Sequence, residues 1–289
     1  MKGRFVSAAL EVVKVAEGVW GAQPQTGANI GWFISGDGVV VVDAGGTPSI
    51  AKAVLQKIAE TAKKPVKTLV LTHAHADHVG GARVFAAAGA QIVCHENAAA
   101  AIGNFLFAAP DPKDPDDAKA PAGNPIVTLS ERMLYLAPTG QVELSWLGAA
   151  HTNGDLLVLL PKEKVLFPGD VAINAPVPYM RASDCDAPGW GRVLVRLAGL
   201  SLGKMVPGHG PIGPVAGIQG TGLYVQKVLK LARTLLETGI PEEYYMVKLQ
   251  EPDNRIEGVP VSDEHVANVK AVARAERERL NKAAPEKKG

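Results

Sequence analysis

Short apolar runs, separated by glycine, proline and charged residues, divide the first part of the chain into predicted strands and helices. Val39–Val42 is apolar at every position, which is typical of a strand buried on both faces. Thr47 and Pro48 then open a predicted helix whose apolar residues recur at helical spacing until the break at Pro65. A second apolar strand, Val66–Leu71, follows directly. Alternation of this kind predicts an α/β fold.

The same patterns extend through the rest of the chain. Further strands are predicted at Val12–Trp20, Asn29–Ile34, Gln91–Cys94, Ile126–Leu129, Met133–Leu136, Gln141–Leu147, Leu156–Leu160, Lys164–Phe167 and Lys204–Val206. Further helices are predicted at Val79–Ala88, Glu96–Phe107, Gly189–Leu200, Leu223–Glu237 and Ser262–Leu280. We therefore expect an α/β (α+β) fold arranged as a four-layer αββα sandwich. Residues 1–215 would form this domain, and residues 216–289 a helical C-terminal extension packed on it.

Two segments have more than one predicted role. Residues 108–124 contain four prolines and four aspartates, which indicates either a functional flap or a surface insertion. The C-terminal helices are expected to cap the domain, and they are also candidates for covering the site, contacting substrate or pairing two chains as a homodimer.

Composition narrows the class of protein. The 289 residues carry 30 basic and 29 acidic side chains, so we expect no nucleic-acid or anionic-membrane partner. The two cysteines, Cys94 and Cys185, form no disulfide framework, and we expect Cys94 to be a small buried residue. The apolar stretch Phe5–Leu10 is too short for a secretory leader, and no apolar run is long enough to span a membrane. We expect a cytoplasmic protein, although a leader already cleaved would leave no trace in this sequence.

Metal-ligand side chains are concentrated at one predicted strand end. His73, His75, Asp77 and His78 form an H-x-H-x-D-H pattern directly after Val66–Leu71. Imidazole nitrogens and carboxylate oxygens are good ligands for zinc and similar divalent ions. Four such side chains within six positions predict a metal site rather than a polar strand cap.

Three other positions supply further candidate ligands. His151, Asp170 and His209 each follow a short apolar run and are flanked by glycine or proline, so each is predicted to lie on a turn beside a strand. Five of the seven histidines of the chain lie in these motifs. His95 and His265 do not, and we expect both to be non-ligands, with His265 in an exposed first helical turn.

In these motifs the chain resembles the metallo-β-lactamase superfamily, in order from about Val12 to about Pro214. The resemblance implies the αββα metallo-β-lactamase fold and two zinc ions per chain, although a ligand set of nitrogen and oxygen atoms alone also suits iron or manganese. It assigns His73, His75 and His151 to one metal, and Asp77, His78 and His209 to the second. Asp170 takes the bridging position, where one lactamase subclass has cysteine.

The resemblance also implies the chemistry. Two metals share a water, lower its pKa, and present a bridging hydroxide to the carbonyl of a small-molecule substrate. Asp77 is the expected catalytic residue, because in related sites it contacts this water and moves its proton. We therefore predict a metal-dependent hydrolase of a β-lactam, lactone, ester or thioester.

Three alternatives stay open at this point. A glyoxalase II-like thioesterase has a similar ligand set, but we see no extended basic C-terminal segment for glutathione. A persulfide dioxygenase-like oxidoreductase binds one iron through residues that match His73, His151 and Asp170. A redox-relay protein that works with a flavodoxin domain is a third class, but it would normally carry a carboxylate at the position of His75.

Several neighbours of the ligands have two interpretations. Asp43 and Asp155 are candidates for holding metal-bound imidazoles, and Asp155 could equally cap a turn. Tyr179 could stabilise an oxyanion or be structural, and Cys185 could lie near the metal. Trp32 and Trp190 could line an apolar pocket or be buried in the core.

Overall fold

The computed structural model describes residues 10–36, 38–109, 111, 117, 126–137 and 140–283. Its strands are β1 (Leu10–Ala16), β2 (Val19–Pro24), β3 (Ile30–Ser35), β4 (Gly38–Val42), β5 (Val66–Val70), β6 (Gln91–His95), β7 (Ile126–Leu129), β8 (Arg132–Ala137), β9 (Gly140–Ser145), β10 (Leu157–Leu160), β11 (Val165–Gly169) and β12 (Lys204–Pro207). Its α-helices are α1 (Pro48–Thr61), α2 (Ala76–Val79), α3 (Ala82–Ala87), α4 (Glu96–Phe107), α5 (Ala187–Ala198), α6 (Ala216–Glu237), α7 (Tyr245–Gln250) and α8 (Asp263–Ala283). Two short 3₁₀ turns, Glu242–Tyr244 and Pro252–Asn254, flank α7.

The strands form two sheets. The first has the order β1-β2-β3-β4-β5-β6-β7 and is antiparallel up to β4 and parallel from β4 to β7. The second has the order β12-β11-β10-β9-β8, and its β11–β12 pair is parallel. Parallel neighbours send their carboxyl ends to the same edge, so the segments that leave β5, β11 and β12 can meet.

Three hydrophobic clusters separate the layers. Val40 and Val42 of β4 pack with residues of the second sheet, such as Phe167, in the core between the sheets. The alternate residues Val39 and Val41 pack against α1, α3 and α4 on the other side. The outer face of the second sheet packs against α5 to α8 in the third cluster. Because β4 is buried on both faces, the αββα arrangement is confirmed.

The structure corrects three predicted elements. The single strand expected at Val12–Trp20 is a hairpin, because the chain turns at Gly18 with a φ of 69°. The helix expected at Val79–Ala88 is divided into α2 and α3 at Gly80 and Gly81, so Asp77 and His78 lie within α2. Helix α6 begins at Ala216, seven residues before the predicted start at Leu223.

The C-terminal helices share a core with the second sheet. Val228 of α6, Tyr245 of α7 and Val269 of α8 belong to the same buried cluster as Leu166 of β11 and Trp190 of α5. The predicted division at residue 215 stays a prediction. None of the helices in the described part of the chain is both long and apolar enough to cross a membrane. The predicted flap or insertion at 108–124 lies largely outside the described residues.

Gly80 gives a test of the packing around α2. A Cβ at this position would lie 2.1 Å from the carbonyl oxygen of Gly46, although its φ of −57° suits any residue. We expect Gly80→Ala to lower the free energy of unfolding by about 1–3 kcal/mol, because backbone must move. Urea denaturation would measure the change.

Gly220 provides the matched control. It is exposed within α6, and a Cβ there would meet nothing within 4 Å. Gly220→Ala should therefore raise the free energy of unfolding by about 0.5–1 kcal/mol through helix propensity alone. Equal effects of the two substitutions would contradict the packing argument.

Candidate metal centre

Five segments of the chain meet at one edge of the two sheets. His73 and His75 follow β5, and α2 carries Asp77 and His78. The other three predicted ligands lie in the turn before β10, directly after β11 and directly after β12; they are His151, Asp170 and His209. The structure brings all seven together in two groups whose ligand atoms lie within 4.8 Å of one another.

The first group consists of His73, His75, His151 and Asp170. Nδ1 of His75 lies 3.0 Å from Nε2 of His73 and 2.9 Å from Nε2 of His151. Two ligands of a tetrahedral zinc ion are separated by about 3.4 Å when each bond is about 2.0–2.1 Å. Three ring nitrogens that converge at nearly this spacing can therefore close around one small cation.

The second group consists of Asp77, His78 and His209. Nε2 of His209 lies 3.1 Å from Oδ2 of Asp77, and Nε2 of His78 lies 3.9 Å from the same oxygen. Asp170 faces both groups: Oδ1 is 3.3 Å from Nε2 of His78, and Oδ2 is 3.5 Å from Nε2 of both His151 and His209. This is the position expected of a bridging carboxylate.

Two buried atoms of the centre test whether a cation fits. Nε2 of His78 and Oδ1 of Asp170 face each other, but neither has a hydrogen-bond partner of good geometry among the described residues. A buried polar atom without a partner costs about 1–3 kcal/mol, and more when it is charged. A cation between these atoms would satisfy both, so the donor set fits a metal ion.

Asp43 fixes the orientation of two imidazoles. Its Oδ2 accepts a hydrogen bond of 2.8 Å from Nδ1 of His78. Its carboxylate also accepts hydrogen bonds from the backbone N–H and hydroxyl of Thr72. Since that hydroxyl donates to Asp43, it accepts from Nδ1 of His73, 3.0 Å away. These bonds hold both rings with Nε2 directed at the centre.

The backbone holds Asp43 and Asp170 in place. Asp43 adopts a φ of 63°, a conformation that non-glycine residues rarely take. The carboxylate of Asp170 lies over the backbone of Gly208, where a Cβ would be 1.9 Å from Oδ1. The main chain of Gly208 also bonds that of Gly169 at 2.8 Å, which ties the ends of β11 and β12 together.

His151 is oriented from the other side of the site. Its Nδ1 donates to the backbone carbonyl of Tyr179 at 3.0 Å, which leaves Nε2 free. Asn268 of α8 holds this stretch: its Nδ2 donates to the Pro178 carbonyl and its Oδ1 accepts from the Met180 N–H. The C-terminal helix therefore supports a predicted ligand through one peptide segment.

Burial and charge set the protonation of these groups. Burial lowers the pKa of His73 and lowers that of His151 to about 4, so both imidazoles are neutral, as ligation requires. Burial opposes ionisation of Asp170, but His78 and a hydrogen bond from His209 outweigh it and hold the pKa well below its usual range. Burial likewise opposes protonation of His209, but hydrogen bonds to Asp170 and Asp77 raise its pKa to about 9.

The other sequence candidates have structural roles in this geometry. Asp155 accepts hydrogen bonds from the backbone and hydroxyl of Thr152, so it caps the turn after His151 rather than orienting an imidazole. Burial raises the pKa of Asp155 to about 7. Trp32 and Trp190 are fully buried, which excludes them from the pocket wall. The ring of Trp190 packs 5.3 Å from that of His151.

The remaining histidines and cysteines lie outside both groups. His95 caps α4 through the N–H of Asn97 and stacks on Trp146. The prediction that His265 is exposed is wrong: it is 1% exposed, and its Nδ1 is hydrogen-bonded to the hydroxyl of Tyr224 at 2.9 Å. Burial raises the pKa of both Cys94 and Cys185 to about 12.

Sequence reasoning missed Thr72 and Asn268. Thr72 occupies the strand end directly before the ligand motif, a position where a hydroxyl can bond a neighbouring side chain. Asn268 lies among Val266, Val269 and Val272, so an isolated amide on an apolar helix face was the available signal. A buried amide requires partners, and those partners lie about 90 residues away.

A cavity of about 490 Å³ opens beside the centre. Its described lining consists of His75, Ala76, Asp77, Asp170, Ile173, Ala175, Val177, Pro178, Tyr179, His209 and Glu264. The ring of Tyr179 packs 5.4 Å from that of His75. A small molecule in this cavity would contact both groups of candidate ligands.

The chain is similar in sequence to known proteins. The sequence profile of the metallo-β-lactamase superfamily matches residues 24–209. The chain is 30% identical over 178 residues to the alpha subunit of 2,4-dinitroanisole O-demethylase from Nocardioides sp. strain JS1661, covering 61% of this chain and 51% of that subunit. It is 25% identical over 194 residues to metallo-β-lactamase type 2 of Bacillus cereus, covering 61% of this chain and 64% of the lactamase. The chain thus spans about half to two-thirds of these relatives.

Two solved structures have the same fold. A metallo-β-lactamase from Pontibacter korlensis superposes with a TM-score of 0.62 at 24% identity, covering 75% of this chain and 99% of that one. A metallo-β-lactamase from Pseudomonas aeruginosa, solved in a mono-zinc form, superposes with a TM-score of 0.61 at 18% identity, covering 75% of this chain and 95% of that one. The predicted fold is confirmed.

Asp43→Asn tests the orientation of the imidazoles. Asparagine tolerates the left-handed backbone of this position but removes the charge that holds His78 and Thr72. We expect metal affinity to fall about 10–100-fold, measured by competition with a chromogenic chelator. The surface variant Asp253→Asn is the control, and equal affinity in both variants would contradict the assigned role.

Asn268→Ala tests the support from α8. The substitution removes the partners of the Pro178 carbonyl, the Met180 N–H and the Tyr224 hydroxyl. We expect the free energy of unfolding to fall by about 1–3 kcal/mol, measured by urea denaturation. Asn254→Ala, which removes amide bonds near the surface, should cost less; a larger loss there would refute the proposed support.

Proposed function

The chain belongs to the metallo-β-lactamase superfamily, and we propose that it is a metal-dependent hydrolase that holds two divalent cations, zinc by preference. The observation that carries this proposal is the pair of candidate ligand groups joined by Asp170. Within the described part of the chain, the buried Nε2 of His78 and Oδ1 of Asp170 lack hydrogen-bond partners. Seven ligands in two adjoining groups suit two cations better than one.

The candidate ligands, Asp77 and the cavity would have different roles in hydrolysis. A pair of cations, when bound, would act as Lewis acids and lower the pKa of a water molecule. Asp77 lines the cavity with a side chain that is 39% exposed, and its carboxylate faces His209. Asp77 is therefore placed to accept and pass on a proton from the attacking water. The cavity would hold the substrate carbonyl beside these groups.

The substrate class proposed is a carbonyl compound: a β-lactam, lactone, ester or thioester. Two of the relatives are named as β-lactamases, which supports hydrolysis of an acyl bond. A third is named for O-demethylation of 2,4-dinitroanisole, so we also include an aryl ether in the panel of test compounds. All of these relatives extend beyond the matched region, so the activity of the whole protein is part of the proposal.

Metal content coupled to activity tests the proposal. We expect about two metal ions per chain by elemental analysis, and loss of activity on chelation with recovery on adding zinc. The panel contains nitrocefin, an acyl-homoserine lactone, S-lactoylglutathione, 4-nitrophenyl acetate and 2,4-dinitroanisole. One iron per chain, with oxygen uptake on persulfides, would overturn the hydrolase proposal.

His151→Ala provides the mutational test. It removes one imidazole from the first group, so metal content should fall and hydrolysis should be abolished. His95→Asn is the control, because asparagine retains the capping of α4 at a histidine outside both groups. Full activity of His151→Ala on any panel compound would refute the assignment.

A further inference from the structure

The cavity wall beyond the ligand groups is almost entirely uncharged. Five of its described lining residues are apolar: Ala76, Ile173, Ala175, Val177 and Pro178. Tyr179 adds an aromatic ring that is partly exposed. Among the described lining residues outside the ligand groups, Glu264 is the one with a charge, and neither lysine nor arginine occurs.

Helix α8 fixes Glu264 at the mouth of this cavity. The next residue, His265, is buried, and its side chain is hydrogen-bonded to the hydroxyl of Tyr224. The backbone N–H of His265 donates a hydrogen bond to the side chain of Ser262. One turn further on, Asn268 is bonded to the segment that carries Tyr179. The Glu264 side chain itself is 52% exposed, so its carboxylate meets solvent and any incoming ligand.

Arg181 is the nearby cation, and it is held away from the cavity. Its Nη1 donates to the backbone carbonyl of Glu264 at 3.3 Å and to Oδ1 of Asn268 at 3.2 Å. Its Nη2 lies 3.6 Å from Oε1 of Glu264. The Cζ atom of its guanidinium lies 4.4 Å from the centroid of the Tyr179 ring, over the ring face. Tyr179 is one of the described residues that line the cavity, and Arg181 is not.

We propose that Glu264 makes the site select uncharged substrates with an apolar or aromatic body against substrates that carry a carboxylate remote from the reacting bond. The inference rests on the proposed function and specifies its substrate class. Glu264 acts in two ways: its charge repels an anionic group at the mouth, and it offsets the positive charge of Arg181, whose Nη2 lies 3.6 Å from Oε1. Repulsion between two charges about 5 Å apart changes a binding constant by roughly fourfold at the dielectric constant of water and by roughly a few hundredfold at an effective dielectric constant of about 20. For the half-exposed carboxylate of Glu264 we expect a change near the lower end of this range, about tenfold.

Binding of matched inhibitors tests this selection without requiring turnover. Benzohydroxamic acid binds metal through its hydroxamate, and 4-carboxybenzohydroxamic acid adds one remote carboxylate to the same ligand. We would titrate both into zinc-loaded protein by calorimetry. Glu264→Gln should strengthen binding of the carboxylated ligand about tenfold relative to the parent ligand. The double variant Glu264→Gln/Arg181→Gln should lose part of this gain, because it also removes the positive charge that Glu264 no longer offsets.

Glu237→Gln is the matched control, since Glu237 is exposed at the far end of α6 and the same charge is removed there. An unchanged ratio in Glu264→Gln, or an equal change in Glu237→Gln, would overturn the inference. The kinetic counterpart compares 4-nitrophenyl acetate with mono-4-nitrophenyl succinate, and Glu264→Gln should raise the relative kcat/KM of the succinate about tenfold. If the zinc-loaded protein hydrolyses neither ester nor any panel compound, the proposed function fails, while the hydroxamate ratio still decides the role of Glu264.

Discussion

The buried carboxylate of Asp170, placed between two sets of imidazoles, is the interaction on which the site depends. It lies within 3.5 Å of ring nitrogens from His78, His151 and His209, which come from three separate segments. Polar atoms gathered at this density inside a protein are unfavourable unless each has a partner. The surrounding fold must therefore supply enough packing energy to hold these atoms in place. A bound cation would satisfy the atoms that hydrogen bonds do not.

The two sheets supply that rigidity at their shared edge. The N–H of Leu156 donates to the carbonyl of Thr72 at 2.7 Å, so the turn after His151 is joined to the end of β5. The N–H of Asn29 donates to the carbonyl of Gly208, which ties the first sheet to the end of β12. Strand ends that are joined in this way cannot move independently. The ligands therefore keep their spacing through backbone contacts rather than through contacts of the ligands alone.

The candidate ligands could be predicted from sequence patterns a few residues long, whereas the start of α6 could not. The seven candidate ligand positions could be predicted because ligand-type side chains at strand ends, flanked by glycine or proline, are visible within a few residues. The start of α6 was missed because Gly217, Gly220 and Gly222 lower the helix propensity of its first turns. Tertiary packing outweighs this low propensity. Gly217 lies against the carbonyl of Ile173, where a Cβ would be 2.3 Å from the oxygen.

His265 was assigned to the wrong face of its helix for a different reason. It lies four residues before Val269, which is fully buried, so the two residues share one stripe of α8. The capping signal of Ser262, Asp263 and Glu264 indicated a solvated first turn, but the apolar period that begins at Val266 already places His265 inward. The spacing of the apolar residues was the stronger signal, because it reports on the whole helix rather than on its first turn.

Helix α8 contributes a part of the cavity wall that lies outside the region containing the candidate ligands. All seven candidate ligands fall within residues 24–209, the region that matches the superfamily profile. Asn268 and Glu264 come from α8, outside that region, and they act on the cavity wall through the segment that carries Tyr179 and Arg181. A substitution of Glu264 can therefore alter the charge of the mouth without removing a candidate ligand, whereas Asn268 also supports the segment that orients His151. Because the chemistry requires fixed ligands and recognition requires an adjustable wall, this separation allows the substrate to change while the centre is retained.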